Sequence, residues 1–164
     1  MSRPDVFVTV CPRTPARLGM AIQALVAWGA EQAAGRVGDV VIQWVRAPTS
    51  PFPGLRHLQD LLTADAIPGD FHHVTLDADA GPESQRHRHA NAAWLARTDP
   101  YCVVDDDAIP FLSRRLRDDG KVEAPWPAYA AGLLAANPDL VMLAPLPPPG
   151  YNDPGTLRAW LAHQ

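Results

Sequence analysis

Three consecutive aspartates, Asp105, Asp106 and Asp107, follow the apolar run Tyr101-Cys102-Val103-Val104. In extended backbone, side chains two apart project to the same side, so Asp105 and Asp107 are expected to converge while Asp106 points away. Two carboxylates are hard oxygen ligands, the chemistry that Mg²⁺ or Mn²⁺ takes together with substrate phosphates. The plain alternative is a solvated acidic turn, because adjacent negative charges repel one another when no cation is bound. Position favours the site: in parallel α/β sheets ligands bind outside the carboxyl ends of the strands.

Other candidate groups flank the triplet. His87 and His89 surround Arg88 just upstream. With Asp105 or Asp107 they could form a His/Asp metal site of the hydrolase kind, but residues two apart on a helix do not share a face. Arg114-Arg115-Leu116-Arg117 lies just downstream, either a solvated helix face or a patch for a phosphate-bearing acceptor. Trp44 and Trp126 could border a sugar by stacking, whereas Trp28 and Trp94 lie on predicted helices and are expected in the core.

Short apolar runs alternate with helical periodicities, and these elements must position the acids. Residues 6–11 read as a buried strand rich in β-branched side chains. Thr14-Pro15 is an N-cap with proline at the first helical position. Leu18, Ile22, Leu25 and Val26 then supply one apolar helix face. Residues 40–45 form a second strand, and Leu55, Leu58, Leu61 and Leu62 a second helical stripe. A third strand spans 71–76, at an edge because of His72 and His73. The third helix spans 83–97, with Ala90, Ala93 and Trp94 as its expected buried positions, and residues 100–104 are the fourth strand. A helix over 127–136, a strand over 140–144 and a short helix capped by Asp153-Pro154 complete the reading. The expected fold is α/β, a three-layer α/β/α sandwich with a mostly parallel central sheet. Residues 1–164 form one domain, with a core over 1–145 and a C-terminal loop and short helix over 146–164.

Composition bounds the function. The chain has 164 residues, 47% hydrophobic and 20% charged, with 14 basic against 18 acidic residues and a net charge of −4. Proteins living on nonspecific phosphate contacts are usually basic, so general nucleic-acid binding is disfavoured. Cys11 and Cys102 are too few for a disulfide framework and read as free thiols in a reducing compartment. No apolar stretch approaches the roughly 18 residues of a membrane span, and the N-terminus carries no signal-peptide pattern. A soluble, cytoplasmic protein is expected. Gly-x-Gly-x-x-Gly, P-loop and Gly-x-Ser-x-Gly sequences are absent.

The stretch from Gly81 through Arg88 and Asn91 to Val103-Val104-Asp105-Asp106-Asp107 resembles the nucleotide-sugar half of GT-A-fold glycosyltransferases, particularly the inverting family 2 type. There a glycine turn and a helix bearing Arg and Asn precede a strand ending in the "DxD" motif. The opening Thr9-Val10-Cys11-Pro12-Arg13-Thr14 and the later Asn137-Pro138-Asp139-Leu140-Val141 are similar to the family's corresponding steps. The resemblance spans roughly residues 5–145 and is specific from Arg88 to Asp107. It implies a nucleotide-diphosphate sugar as donor and Mg²⁺ or Mn²⁺ held by Asp105 and Asp107, with Asp105 sharing the metal or contacting the ribose. Arg88 would neighbour the nucleotide or its phosphates. Pro12, Arg13 and Thr14 would lie against the base, and Asp106 falls within the same nucleotide-binding set. Such a cation would offset charge on the leaving nucleoside diphosphate.

Two departures accompany the likeness. Family members carry an acidic pair after strand two, where this chain has Gln43-Trp44-Val45-Arg46-Ala47-Pro48. They also continue well beyond residue 164, through the region that generally supplies the acceptor site and the catalytic base. Asp118, Asp119, Glu123 and Asp153 are the later acids here, and Asp153 is taken as the candidate base. The implied partners are the nucleotide sugar, an acceptor (glycan, protein, lipid or modified nucleic acid) and a second copy in a homo-oligomer. Two other function classes stay open: a nucleotide-sugar-binding protein without independent catalysis, and a metal-dependent phosphoester hydrolase.

Overall fold

A computed structural model describes residues 3–46, 53–79, 82–106, 108, 110 and 126–139. The elements run β1 (Val6–Val10), α1 (Pro15–Ala33), β2 (Val40–Arg46), α2 (Pro53–Thr63), β3 (Phe71–Asp79), α3 (Pro82–Leu95), β4 (Cys102–Asp105) and α4 (Trp126–Ala136). The strands form one four-stranded parallel sheet in the order β3-β2-β1-β4. Successive connections therefore build outward from β1 to β3, then return to place β4 on the other side of β1. That reversal is a topological switch point, and it lies between the carboxyl ends of β1 and β4. β3 is an edge strand, as its histidines suggest, and extends past residue 76 to Asp79 with an irregularity at Val45/Arg46.

Period-two alternation sends each strand's side chains to both faces. Val6, Val8, Val10, Val40, Ile42, Cys102 and Val104 cluster with Ala21, Ala24, Leu25 and Trp28 of α1 and with Leu58 of α2. Phe7, Val41, Val74 and Val103 meet Ala92, Leu95 and Ala96 on the opposite face. The sheet is thus flanked by helices, and strands covered on both sides read as near-continuous apolar runs. Thr14 caps α1 by accepting from the Arg17 N–H at 3.2 Å, and Pro15 supplies a preset φ. Gly35, at φ 67°, ends the helix in the left-handed conformation that glycine adopts freely. The buried Trp28 indole donates to the Ala108 carbonyl at 2.7 Å and so ties α1 to the segment after β4.

Two burial expectations are corrected. In α3, Ala90 and Ala93 are exposed and Trp94 is 83% exposed; the inward positions are Arg88, Asn91, Ala92 and Leu95. The expectation followed apolar residues, whereas this helix lays polar ones inward over a partly polar stretch of sheet. In α1, Val26 is exposed because Leu25 and Trp28 already fill the stripe facing the sheet. The fourth strand runs from Cys102 to Asp105, two residues later than residues 100–104 at its start, and Trp126 opens α4, one residue ahead of the expected 127–136. The strand over 140–144, the terminal helix and Arg114–Arg117 lie outside the described residues. Among the described residues no helix is long and apolar enough to cross a membrane.

Candidate site at the carboxyl ends of β1 and β4

The two described aspartates of the triplet turn to opposite faces, and each meets an arginine from the helix on its side. Asp106 is buried; its Oδ2 accepts from the Cys11 N–H at 2.9 Å and its Oδ1 pairs with Arg17 Nη2 at 2.7 Å. Asp105 ends β4 on the α3 face, where its Oδ1 pairs with Arg88 Nη1. Asp105 is 54% exposed at the side chain, while Arg88 is only 14% exposed. Asp106 therefore belongs to the junction of β4 with the loop after β1. It draws that loop, with buried Pro12 and exposed Arg13 and Thr14, against the switch point.

Across the sheet, Thr9 stands opposite Gln43 on one side and Asp105 on the other. These three residues form a polar row on neighbouring strands, at the last residue of β4 and one residue before the end of β1. Arg88 and Asn91, three apart on α3 and so on one face, cover it. Asn91 Nδ2 donates to Gln43 Oε1 at 3.1 Å. Among the described residues, Thr9 Oγ1, Gln43 Nε2 and Arg88 Nε are buried without a hydrogen-bond partner. Gln43 is 0% and Thr9 7% exposed. A buried polar atom left unmatched costs about 1–3 kcal/mol, so such groups in one row require an explanation.

The residues named from sequence divide accordingly. The structure brings Arg88 and Asp105 together, and it places Pro12, Arg13 and Thr14 beside the junction that Asp106 holds. Thr14's hydroxyl is committed to capping α1. Asp107 and Asp153 lie outside the described residues. Of the two described acids of the triplet, Asp105 is the exposed hard-oxygen carboxylate, which fits a cation that takes one or two carboxylates and completes its shell with substrate phosphates. Among the described residues no three His, Cys, Asp or Glu side chains gather into a metal-binding group. Both His87 and His89 are exposed; burial, then Arg88, pushes His89 below its usual range, against a smaller opposite effect of Asp105. Trp44 faces the α1 and α2 side, where it stacks on His73 with ring centroids 6.0 Å apart and donates Nε1–H to His73 Nδ1 at 3.1 Å. It is thus on the opposite face of the sheet from the polar row. Burial pushes the Cys102 thiol well up, so it stays a protonated core group.

Thr9, Gln43 and Arg17 were not among the sequence candidates, and each leaves a trace in the sequence. Gln43 interrupts the run Val40-Val41-Ile42-Gln43-Trp44-Val45, a polar side chain in a strand covered on both faces. Arg17 is a cation in the first turn of a helix, where the macrodipole disfavours it unless a carboxylate waits nearby. Comparison with protein families, with curated proteins and with solved structures finds no match.

Proposed function

We propose that the chain holds a nucleotide-diphosphate sugar over the carboxyl ends of β1 and β4. It would then transfer the sugar to an acceptor hydroxyl as a metal-dependent, inverting glycosyltransferase of the GT-A kind. In this reading the sheet is the Rossmann-like nucleotide-binding half of a three-layer sandwich, and the protein works in the cytoplasm. The observation that carries it is the pairing of Arg88 with Asp105 at the switch point, beside buried polar groups that lack partners among the described residues.

Arg88 supplies positive charge beside the nucleotide, and Asp105 fixes its direction. The Cys11–Asp106–Arg17 junction holds the β1 loop in place for the base. A cation held by Asp105 and Asp107 would offset the charge of the departing diphosphate. The acceptor oxygen bonds to the anomeric carbon as the bond to the diphosphate oxygen breaks, and the hydroxyl proton passes to a carboxylate acting as general base, Asp153 in this proposal.

Isothermal titration with a panel of nucleotide sugars, with and without Mn²⁺, tests the reading. Metal-dependent binding that Asp107→Ala abolishes is expected. Binding indifferent to both metal and Asp107 sinks it. Donor binding without turnover across a broad acceptor screen would reduce the protein to a nucleotide-sugar binder, which rests on the same polar row.

A further inference from the structure

The outward face of α1 departs from what a surface helix presents. Ala16, Gly19, Met20, Gln23, Val26 and Ala30 are all exposed and follow one another at helical spacing, so they form one stripe. None of them is charged. The two charged residues of α1, Arg17 and Glu31, turn elsewhere and pair with Asp106 and Arg36. The contrast is α2, whose exposed positions include Arg56, His57, Gln59 and Asp60, a polar face of the usual kind. Of the large apolar side chains exposed among the described residues, Met20 at 44% and Val26 at 39% both stand on the α1 stripe. Gly19 leaves a dent between them, since a Cβ there would meet nothing within 4 Å.

Such a stripe suits a copy of itself. The chain carries a net charge of −4, so two copies repel one another except where neither brings charge to the contact. The α1 stripe is such a place, and for the same reason it offers no counter-charge to a nucleic acid or a charged peptide. Gln23 lies at its middle, and an amide, donor and acceptor at once, can pair with its own copy across a two-fold axis. In an antiparallel crossing centred on Gln23, Val26 of one copy fills the dent at the partner's Gly19. Met20 then lies on the partner's Ala27, so a large side chain meets a small one on both flanks.

We propose that the outward stripe of α1 is a homodimer interface, an antiparallel pair of α1 helices related by a two-fold axis through Gln23. The inference stands apart from the nucleotide reading, because the stripe lies on the side of α1 away from the sheet.

Sedimentation equilibrium of the full chain is the test. The mass is expected to rise with concentration from one chain to two, with half association at about 10 µM, a weak affinity that suits an interface of one helix face. Gly19→Leu fills the dent and should weaken association by at least about tenfold. The open space at Gly19 and the better helix propensity of leucine should leave the melting temperature of the dilute monomer unchanged or raised. Val26→Glu places a charge in the contact and should weaken association to a similar degree. Asp60→Ala, on the charged face of α2, should leave association as it is. A mass that stays at one chain up to about 200 µM, or that climbs past two chains, overturns the inference. So does a dimer that either Gly19→Leu or Val26→Glu leaves at full strength, which would put the association on another surface.

Discussion

At the amino end of the sheet, Asp5 is buried just before β1, and its carboxylate accepts from the Asp39 N–H at 2.9 Å and the Arg97 N–H at 2.8 Å. Its own N–H donates to Thr98 Oγ1 at 2.8 Å. Gly38 lets the backbone come close, since a Cβ there would stand 2.4 Å from Asp5 Oδ1. At the carboxyl end, Thr9, Gln43 and Arg88 bury polar atoms that nothing in the described chain meets. One end spends its polar groups on its own backbone, and the other leaves them for something else. Unmatched buried donors are a standing cost to the fold, and where a protein retains them they mark the place where function was favoured over stability.

The largest expected effect breaks the satisfied end. Asp5→Ala strands the Asp39 and Arg97 amides without their acceptor and should lower unfolding free energy by about 3–4 kcal/mol, read from chemical denaturation. A loss under about 1 kcal/mol would show that this end does not depend on the carboxylate. Next comes Gly29→Ala, on the face of α1 against the turn before β3. Its Cβ would fall 1.6 Å from the Pro68 carbonyl oxygen, so helix or turn must shift. A loss of about 2–3 kcal/mol is expected from such overpacking, measured in the same way.

The third change sharpens the contrast by reversing sign. Thr9→Val removes a buried hydroxyl that has no partner among the described residues and keeps its shape, so ligand-free protein should gain about 1 kcal/mol. Deleting a buried polar group would thus destabilise the amino end and stabilise the carboxyl end. A loss on Thr9→Val would mean that the hydroxyl is already matched in the resting protein.

The same contrast explains what the sequence made legible. Apolar runs such as 40–45 and the stripe Leu55, Leu58, Leu61, Leu62 announce strands and a helix, because burial on two faces or one leaves a periodic trace. The Asp105–Asp106 alternation follows from strand geometry alone and places the two acids on opposite faces. Strand order carries no such trace, since parallel pairing is decided by long-range contacts. α3 misleads for a more particular reason: apolar residues point to Trp94, yet the helix turns Arg88 and Asn91 inward because Thr9, Gln43 and Asp105 make the sheet polar beneath it. A functional face runs against the rule that finds cores, so the misread helix and the site coincide.

The smallest effect is a titration at the carboxyl end. Burial and the Arg88 charge hold the His89 pKa below its ordinary 6.5, with Asp105 opposing weakly. The unfolded chain, with the ordinary value, then binds more protons than the native state between that value and the lowered one. Stability should therefore be complete above about pH 6.5 and decline as pH falls through that window. His89 is largely solvent-exposed, so screening keeps the decline slight and NMR titration of the imidazole is the better readout. Arg88→Gln removes one cause of the depression and leaves the other, so the His89 pKa should move part of the way back up. Asp105→Asn removes the opposing carboxylate and should move it further down. Opposite shifts from the two partners of one ion pair would show that Arg88 and Asp105 both act on the same edge of the site in solution; shifts of the same sign would separate them.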